Sequence, residues 1–325
     1  MMTPYLDPAQ QRAHRQRNTW QSVWLLVGIG AVVALSALLI WGPAGMVIAM
    51  LAVAGIAVFS PRLPPGSVMR LYRARPMDPR TGGQLLDAVS VLARRAELPA
   101  VPAVYIIPSS TLNAFATGSP AHAAIGVTEG LLRQLSLREI VGVLAHEISH
   151  IRNNDLGVMA LADVMTRFTQ SLSLTALILA ALNVFSAFWG ESFISWGAVL
   201  LLYLAPTLAS LLQLGLSRSR EYDADLEGAL LTRDPAGLAM ALKRLDQLQG
   251  SFWEDMMYPV PGRRMPVPSL LRSHPPTDER VARLLALQST PQEPVLVLQE
   301  TPMRFLVGVG PIEMRPRYRW PGVWF

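Results

Sequence analysis

The sequence contains no cysteine. That excludes disulfides and thiolate metal ligands, so any metal site must be built from histidine and carboxylate. Charge is also scarce. Asp, Glu, Lys and Arg make up 16% of the 325 residues, against about 25% in soluble globular domains. Hydrophobic residues reach 51% and the mean hydropathy is +0.32, so the apolar residues must be concentrated in long runs. The net charge of +5 comes almost wholly from arginine. No basic run interleaved with aromatics occurs, which argues against a nucleic-acid partner. The arginines instead flank apolar runs, where they would meet anionic lipid. No internal repeat is present.

Residues 23–41 carry no charge, and at 1.5 Å per residue they reach about 28 Å, close to the hydrocarbon thickness of a bilayer. Residues 43–60 form a second uncharged run behind Gly42-Pro43, so the pair reads as a helical hairpin. The length of the first run and the immediate second one argue against a cleaved signal peptide. Residues 171–189 and 194–216 form another pair, joined by a short link at 190–193 that carries Glu191. Ser171, Ser173, Thr175 and Asn183 make the third segment less apolar, and a buried core helix is the alternative there. Arg12, Arg15 and Arg17 precede the first run; Arg62, Arg70, Arg73 and Arg75 follow the second. Arg167 precedes the third, and Arg218 and Arg220 follow the fourth. Neither hairpin turn holds Lys or Arg. By the positive-inside rule, both termini and the polar region are expected in the cytoplasm. The spans lack the charged residues that a transporter or channel would use.

Between the pairs, residues 81–98 read as a helix, and 101–108, 112–117 and 122–127 as strands, the last two joined by Gly118-Ser119-Pro120. Ser136 and Glu139 form a capping-box pattern that starts a helix through Ile151. The helix after the fourth run is expected to continue to residue 231. Asp234-Pro235 caps another to 248, and Pro276-Thr277 starts a last one to 288. Beyond residue 290 the chain is proline-rich, with short β-like runs at 295–298 and 305–309.

His146-Glu147-Ile148-Ser149-His150 is an H-E-x-x-H motif on the capped helix. Residues i and i+4 share a helix face, so His146 and His150 can grip one ion, with Glu147 beside them and off the metal. Composition alone gives about 0.003 chance matches, so a pair of structural histidines on a solvated face is a poor competitor. Zinc suits imidazole, and a catalytic site needs a third protein ligand. Glu221 is the best candidate, because the 171–216 hairpin goes out and returns, bringing it back to the level of His150. Asp225, one turn on, could accept a hydrogen bond from a ligand histidine's free ring nitrogen. The competing reading makes Glu221, Asp223 and Asp225 a solvated acidic stretch.

These residues resemble the HtpX-like membrane metalloproteases, relatives of the CAAX prenyl proteases. The resemblance rests on His146, Glu147, His150, Asn153 and Asp155; on Ser217, Arg218, Glu221, Ala224 and Asp225; on the stretch Asn113, Ala114, Phe115, Ala116; and on His274-Pro275-Pro276. It covers residues 20–290 and implies a zinc endopeptidase of bacterial inner-membrane quality control that acts on misfolded or damaged membrane proteins. One Zn2+ per chain would be bound by His146, His150 and Glu221, with Glu147 as catalytic acid/base. Asn113, Ala114, Phe115 and Ala116 would form an edge strand on which substrate lies, and an open strand edge does offer main-chain hydrogen bonds to an extended peptide; an ordinary inner strand is the alternative. His274 is the first candidate for a catalytic oxyanion donor and Arg218, also near the metal, the second. His14 and His122 read as surface or structural residues.

The expected architecture is α+β: a mainly helical membrane protein with four transmembrane helices and a cytosolic zincin-like domain containing a small β-sheet. Its parts are a cytosolic segment (1–22), a first hairpin (23–60), the first part of the protease domain (61–170), a second hairpin (171–216), the second part with the third ligand (217–290) and an extension of unassigned role (291–325). Expected partners are polypeptide substrates and the lipid bilayer, with no nucleic acid; a homo-oligomer is left open. Two other functions remain in view: a zinc-stabilised membrane chaperone or scaffold without protease activity, and a selective CAAX-type processing protease, which would need more spans.

Overall fold

The computed structural model describes residues 8–59, 64–187, 195–257, 276–287, 318–319 and 323–324. In chain order the elements are α1 (Pro8–Phe59), α2 (Pro65–Leu71), β1 (Arg75–Pro76), α3 (Pro79–Arg95), β2 (Ala103–Ile107), β3 (Ala114–Ser119), β4 (His122–Thr128), α4 (Glu129–Gln134) and α5 (Leu137–Arg152). Then follow α6 (Asp155–Ala187), α7 (Trp196–Thr232), α8 (Pro235–Met257), α9 (Thr277–Ala286) and the pair β5 (Tyr318–Arg319) and β6 (Val323–Trp324). The β-like runs expected at 295–298 and 305–309 lie outside the described residues.

Among the described residues, three helices are long and apolar enough to cross a membrane: Thr19–Ile56, Asp155–Ser186 and Trp196–Thr232. The first is broken. Gly42 leaves helical geometry at φ 70° and ψ −167°, directly before Pro43. Proline disfavours the helical region for its predecessor, and glycine takes positive φ without a Cβ clash. Val53, beyond the break, shares one buried cluster with Ile29 and Val33 before it, with Ala162 and Met165 of α6, and with Ala209 and Leu216 of α7. The outward faces of these helices keep large apolar side chains exposed, among them Trp24, Ile48, Leu51, Leu174, Ile178 and Leu200. A helix that is apolar all round, with most of its apolar stretch facing outward, has the length and composition of a membrane span.

The four-stranded sheet has the order β1-β2-β4-β3. β2 runs parallel to β4 and β3 antiparallel to it. The capped helix α5 lies across this sheet. Its Ile140, Leu144 and Ile148 share a core with Ile125 and Val127 of β4 and with Leu85 and Leu92 of α3. At its start, Ser136 and Glu139 form the reciprocal capping box. Helix α3 begins at Pro79, ahead of the expected 81, because Asp78 accepts a hydrogen bond from the Arg80 amide at 2.9 Å and proline fits the first helical position. Strand β1 and helix α4 were not expected from the sequence; two and six residues are too few to show a period. Helix α8 runs to Met257 rather than 248.

One glycine fixes how closely α7 approaches α5. A Cβ at Gly228 would lie 3.1 Å from the backbone nitrogen of His146 and 3.2 Å from its Cα, atoms that cannot rotate aside. Gly228→Val should therefore push the helices apart and cost about 1–3 kcal/mol of stability, seen as a lower thermal midpoint in detergent. Gly55→Val, whose added Cβ meets nothing within 4 Å, should leave the midpoint unchanged.

Candidate metal centre

Helix α5 carries His146 and His150 one turn apart. It ends at Asn153, and Asn154 adopts φ 53°, a left-handed conformation that asparagine tolerates better than most residues. This reversal starts α6 at Asp155 and turns that carboxylate back onto α5. Oδ2 of Asp155 lies 2.8 Å from Nδ1 of His150. Asn153 meanwhile donates to Glu227 of α7 at 3.0 Å, tying the two helices together beside the site. On the other flank, Oδ1 of Asp225 lies 3.1 Å from Nδ1 of His146.

A carboxylate only accepts hydrogen bonds, so the Nδ1 of His150 carries a proton and its Nε2 offers a lone pair, and the Asp225 carboxylate beside Nδ1 of His146 favours the same tautomer there. The two Nε2 atoms face each other at 3.2 Å. Glu221 of α7 joins them, with Oε2 at 3.6 Å from His146 Nε2 and Oε1 at 3.8 Å from His150 Nε2. Three donors held at about 2.0–2.2 Å around a tetrahedral ion stand about 3.3–3.6 Å apart. The two Nε2 atoms, and the Glu221 oxygen nearest to each, stand 3.2–3.8 Å apart, near that spacing, and one ligand atom from each of the three residues lies within 4.8 Å of the others. All three side chains are largely shielded from solvent, where converging acceptors repel one another unless a cation lies among them. A proton is the substitute when no metal is bound. Burial alone would lower the pKa of His150, but the Asp155 hydrogen bond and the charges of Glu147 and Glu221 outweigh it and raise it to about 9.

Glu147 sits beside this cluster, and its Oε2 accepts from the backbone amide of Ala116 at 2.9 Å. Burial pushes its carboxyl above the usual range, against the opposing pull of His150 and His146. The Ala116 amide therefore points away from β4, and β3, which pairs with β4 at the sheet edge, turns its outer backbone toward α5. Asn113 precedes β3 and is tied to Thr128 through its amide at 3.0 Å and its carbonyl at 2.9 Å. Phe115 packs its ring 4.8 Å from that of Tyr72. The fold thus brings Ala116, Glu147, His146, His150, Glu221 and Asp225 to one place. Arg218 lies on α7 one turn before Glu221, near enough to Tyr222 for its charge to act on the phenol. His274 lies outside the described residues. His122 is exposed at the start of β4.

Three contributors were missed by sequence reasoning. Asp155 was noted as a motif residue but not as the partner of His150. Arg220 places Nη1 3.1 Å from Asp155 Oδ1. Arg280 of α9 donates to both oxygens of Asp225, at 2.7 and 2.6 Å, and places Nη1 3.2 Å from Oε2 of Glu221.

The family model for peptidase family M48 matches residues 79–288. The chain belongs to this family. M48 membership brings a metal ion and polypeptide substrates, and together with the apolar helices it makes the chain a membrane metalloprotease. A protease HtpX homolog from Desulfatibacillum aliphaticivorans is 36% identical over 278 residues, covering 82% of this M48 chain and 89% of that one. Another, from Acaryochloris marina, is 42% identical over 232 residues, covering 67% and 76%. The crystal structure of S. mikatae Ste24p aligns at a TM-score of 0.42 and 20% identity over 85% of this chain and 66% of that one, a likeness too loose to bear on the site.

The proton on His150 sets the sign of a pH effect. Below about pH 9 an incoming divalent ion must displace it, so metal affinity should rise with pH and level off near that value. One displaced proton means about a tenfold loss of affinity for each pH unit below it. Chelator-competition titrations of the metal-free protein with Zn2+ from pH 6.5 to 9 measure this; a flat profile would reject it.

Proposed function

We propose that this chain is a membrane-embedded zinc endopeptidase that hydrolyses misfolded or damaged membrane proteins in bacterial inner-membrane quality control. The observation that carries the reading is the convergence of His146, His150 and Glu221, whose ligand atoms lie within 4.8 Å of one another, with Glu147 beside them.

In this reading His146, His150 and Glu221 hold one zinc ion, which supplies Lewis-acid activation of a carbonyl and of water. Asp225 and Asp155 fix the ring tautomers that leave both Nε2 atoms free to ligate. Glu147 moves the proton. Its raised pKa brings the carboxyl closer to the range in which it both accepts and returns a proton near neutrality. The hydrogen bond to Ala116 holds it between the ligands and the sheet edge. Ala114 and Ala116 share the outer edge of β3 by strand alternation, and an extended substrate can add there as a further strand. His274 and Arg218 are the proposed donors to the developing oxyanion.

For the membrane, we take the break at Gly42 as the turn of a first hairpin, with spans at 23–41 and 43–60, and a second hairpin at 171–189 and 194–216. Segment 1–22, the protease parts 61–170 and 217–290, and the extension 291–325 then lie in the cytoplasm. Helix α7 continues unbroken past residue 216, and Glu221 follows after about 8 Å of helix rise. That short distance supports a site at the inner membrane surface, where a damaged membrane protein would meet it.

Glu147→Gln should keep its zinc and lose about 10²–10⁴-fold in kcat/KM on casein in detergent; cleavage near the parental rate in the purified variant would refute the role. A parental protein that binds zinc without cleaving would favour a scaffold instead. The absence of cysteine makes topology directly testable in cells. A cysteine at Ala44 should react with an impermeant maleimide from outside the inner membrane, and one at Ser110 only after permeabilisation. The reverse pattern would invert the proposed orientation.

A further inference from the structure

We propose that Arg280 is a positioning residue of the metal centre: its guanidinium orients the carboxylates of Glu221 and Asp225 and so sets the affinity of the site for a divalent ion. The proposal rests on the metal-site reading above. Arg280 is 7% exposed, with Asp225 at 4% and Glu221 at 8%. One edge of its planar fork, Nε and Nη2, grips both oxygens of Asp225, while Nη1 reaches Oε2 of Glu221. Glu221 and Asp225 stand one turn apart on α7, a spacing at which two carboxylates repel. Arg280 offsets both charges at once. It also fixes the direction in which each oxygen points, toward His146 Nδ1 in one case and toward the Nε2 pair in the other.

Lysine could supply the charge but not the geometry, because its ammonium is a compact point charge without a planar fork. The structure also explains how Arg280 is itself held. Val281 and Leu284 of α9 pack with Ala229 of α7 and with Leu238 and Ala239 of α8 in a separate apolar cluster, so α9 docks by hydrophobic burial and delivers the guanidinium as a consequence. The His150 side has a thinner counterpart, with Arg220 behind Asp155 through one 3.1 Å contact. Carboxylates and cations behind histidine ligands typically alter metal affinity by about 10–100-fold when removed.

The test uses the full-length Glu147→Gln protein in detergent, so that metal binding is read without turnover or autolysis. Zn2+ affinity is measured by chelator competition, and the coordination environment by the visible absorption of bound Co2+. Arg280→Gln is expected to weaken Zn2+ binding by about 10–100-fold and to shift the Co2+ bands. Arg280→Lys should recover part of the affinity. Combining Arg280→Gln with Asp225→Asn should cost less than the sum of the two single changes, since Arg280 acts partly through Asp225. Arg138→Gln, which breaks the Arg138–Asp234 pair at the α5–α8 junction, serves as a control for general destabilisation and should leave both readouts unchanged. A folded Arg280→Gln protein with parental affinity and parental Co2+ bands overturns the proposal. So does a loss of affinity that Arg280→Lys does not relieve and that leaves the Co2+ bands unmoved. Should the glutamine variant not fold, Arg280→Lys decides on the same two readouts, and parental values there overturn the proposal. Failure of the parental protein to bind Zn2+ or Co2+ would overturn the metal-site reading itself.

Discussion

Two imidazole lone pairs and a carboxylate pressed together away from water are unstable without positive charge among them, and most of the architecture around the site follows from that constraint. Bringing them together takes rigid supports. Helix α5 supplies two of the three groups from a buried position between the sheet and α7, and Gly228 lets α7 approach the backbone of His146 closely enough for Glu221 to reach across. Orienting them takes a second layer. Asp155 is hydrogen-bonded to Nδ1 of His150 and Asp225 lies 3.1 Å from Nδ1 of His146, and each has an arginine behind it.

The charges close on the same constraint. Glu147, Glu221, Asp155 and Asp225 bring four negative charges when ionised, and Arg220 and Arg280 bring two positive ones. A divalent ion makes the set neutral. Without it His150 meets part of the deficit, holding its proton to about pH 9 beside Asp155, Glu147 and Glu221 despite its burial, while burial itself pushes Glu147 above the usual carboxyl range. The elevated basicity of His150 and the fit of the site to a cation are therefore two expressions of one electrostatic imbalance.

What could be read in the sequence was whatever is local along the chain. The H-E-x-x-H spacing, the Ser136–Glu139 box and the break at Gly42-Pro43 each need fewer than six residues to be seen. Glu221 was within reach because a hairpin must return its chain to the side from which it left, and Asp225 because it lies one turn beyond. Asp155 escaped as a partner because its bond to His150 depends on Asn154 taking a left-handed conformation, which asparagine permits but does not announce. Arg280 escaped because it is 55 residues from Asp225 in the chain and reaches it through the packing of α9 on α7 and α8, which no local pattern encodes. Strand β1, two residues ending in Pro76, carries no periodicity to detect.

Helix α7 joins the two halves of the molecule in one rigid element. Its first part packs against α1 and α6 through Ala209 and Leu216; its second part carries Glu221, Asp225 and Gly228. A helix has no soft joint unless proline, glycine pairs or a bulge provide one, and Pro206 lies well before the ligand-bearing turns. A tilt of the apolar part would therefore be transmitted to Glu221, while His146 and His150 stay with the sheet core through α5. The ligand set is split between an element anchored in the apolar bundle and one anchored in the sheet, so packing of α7 against α5 is the condition on which the third ligand stays in place.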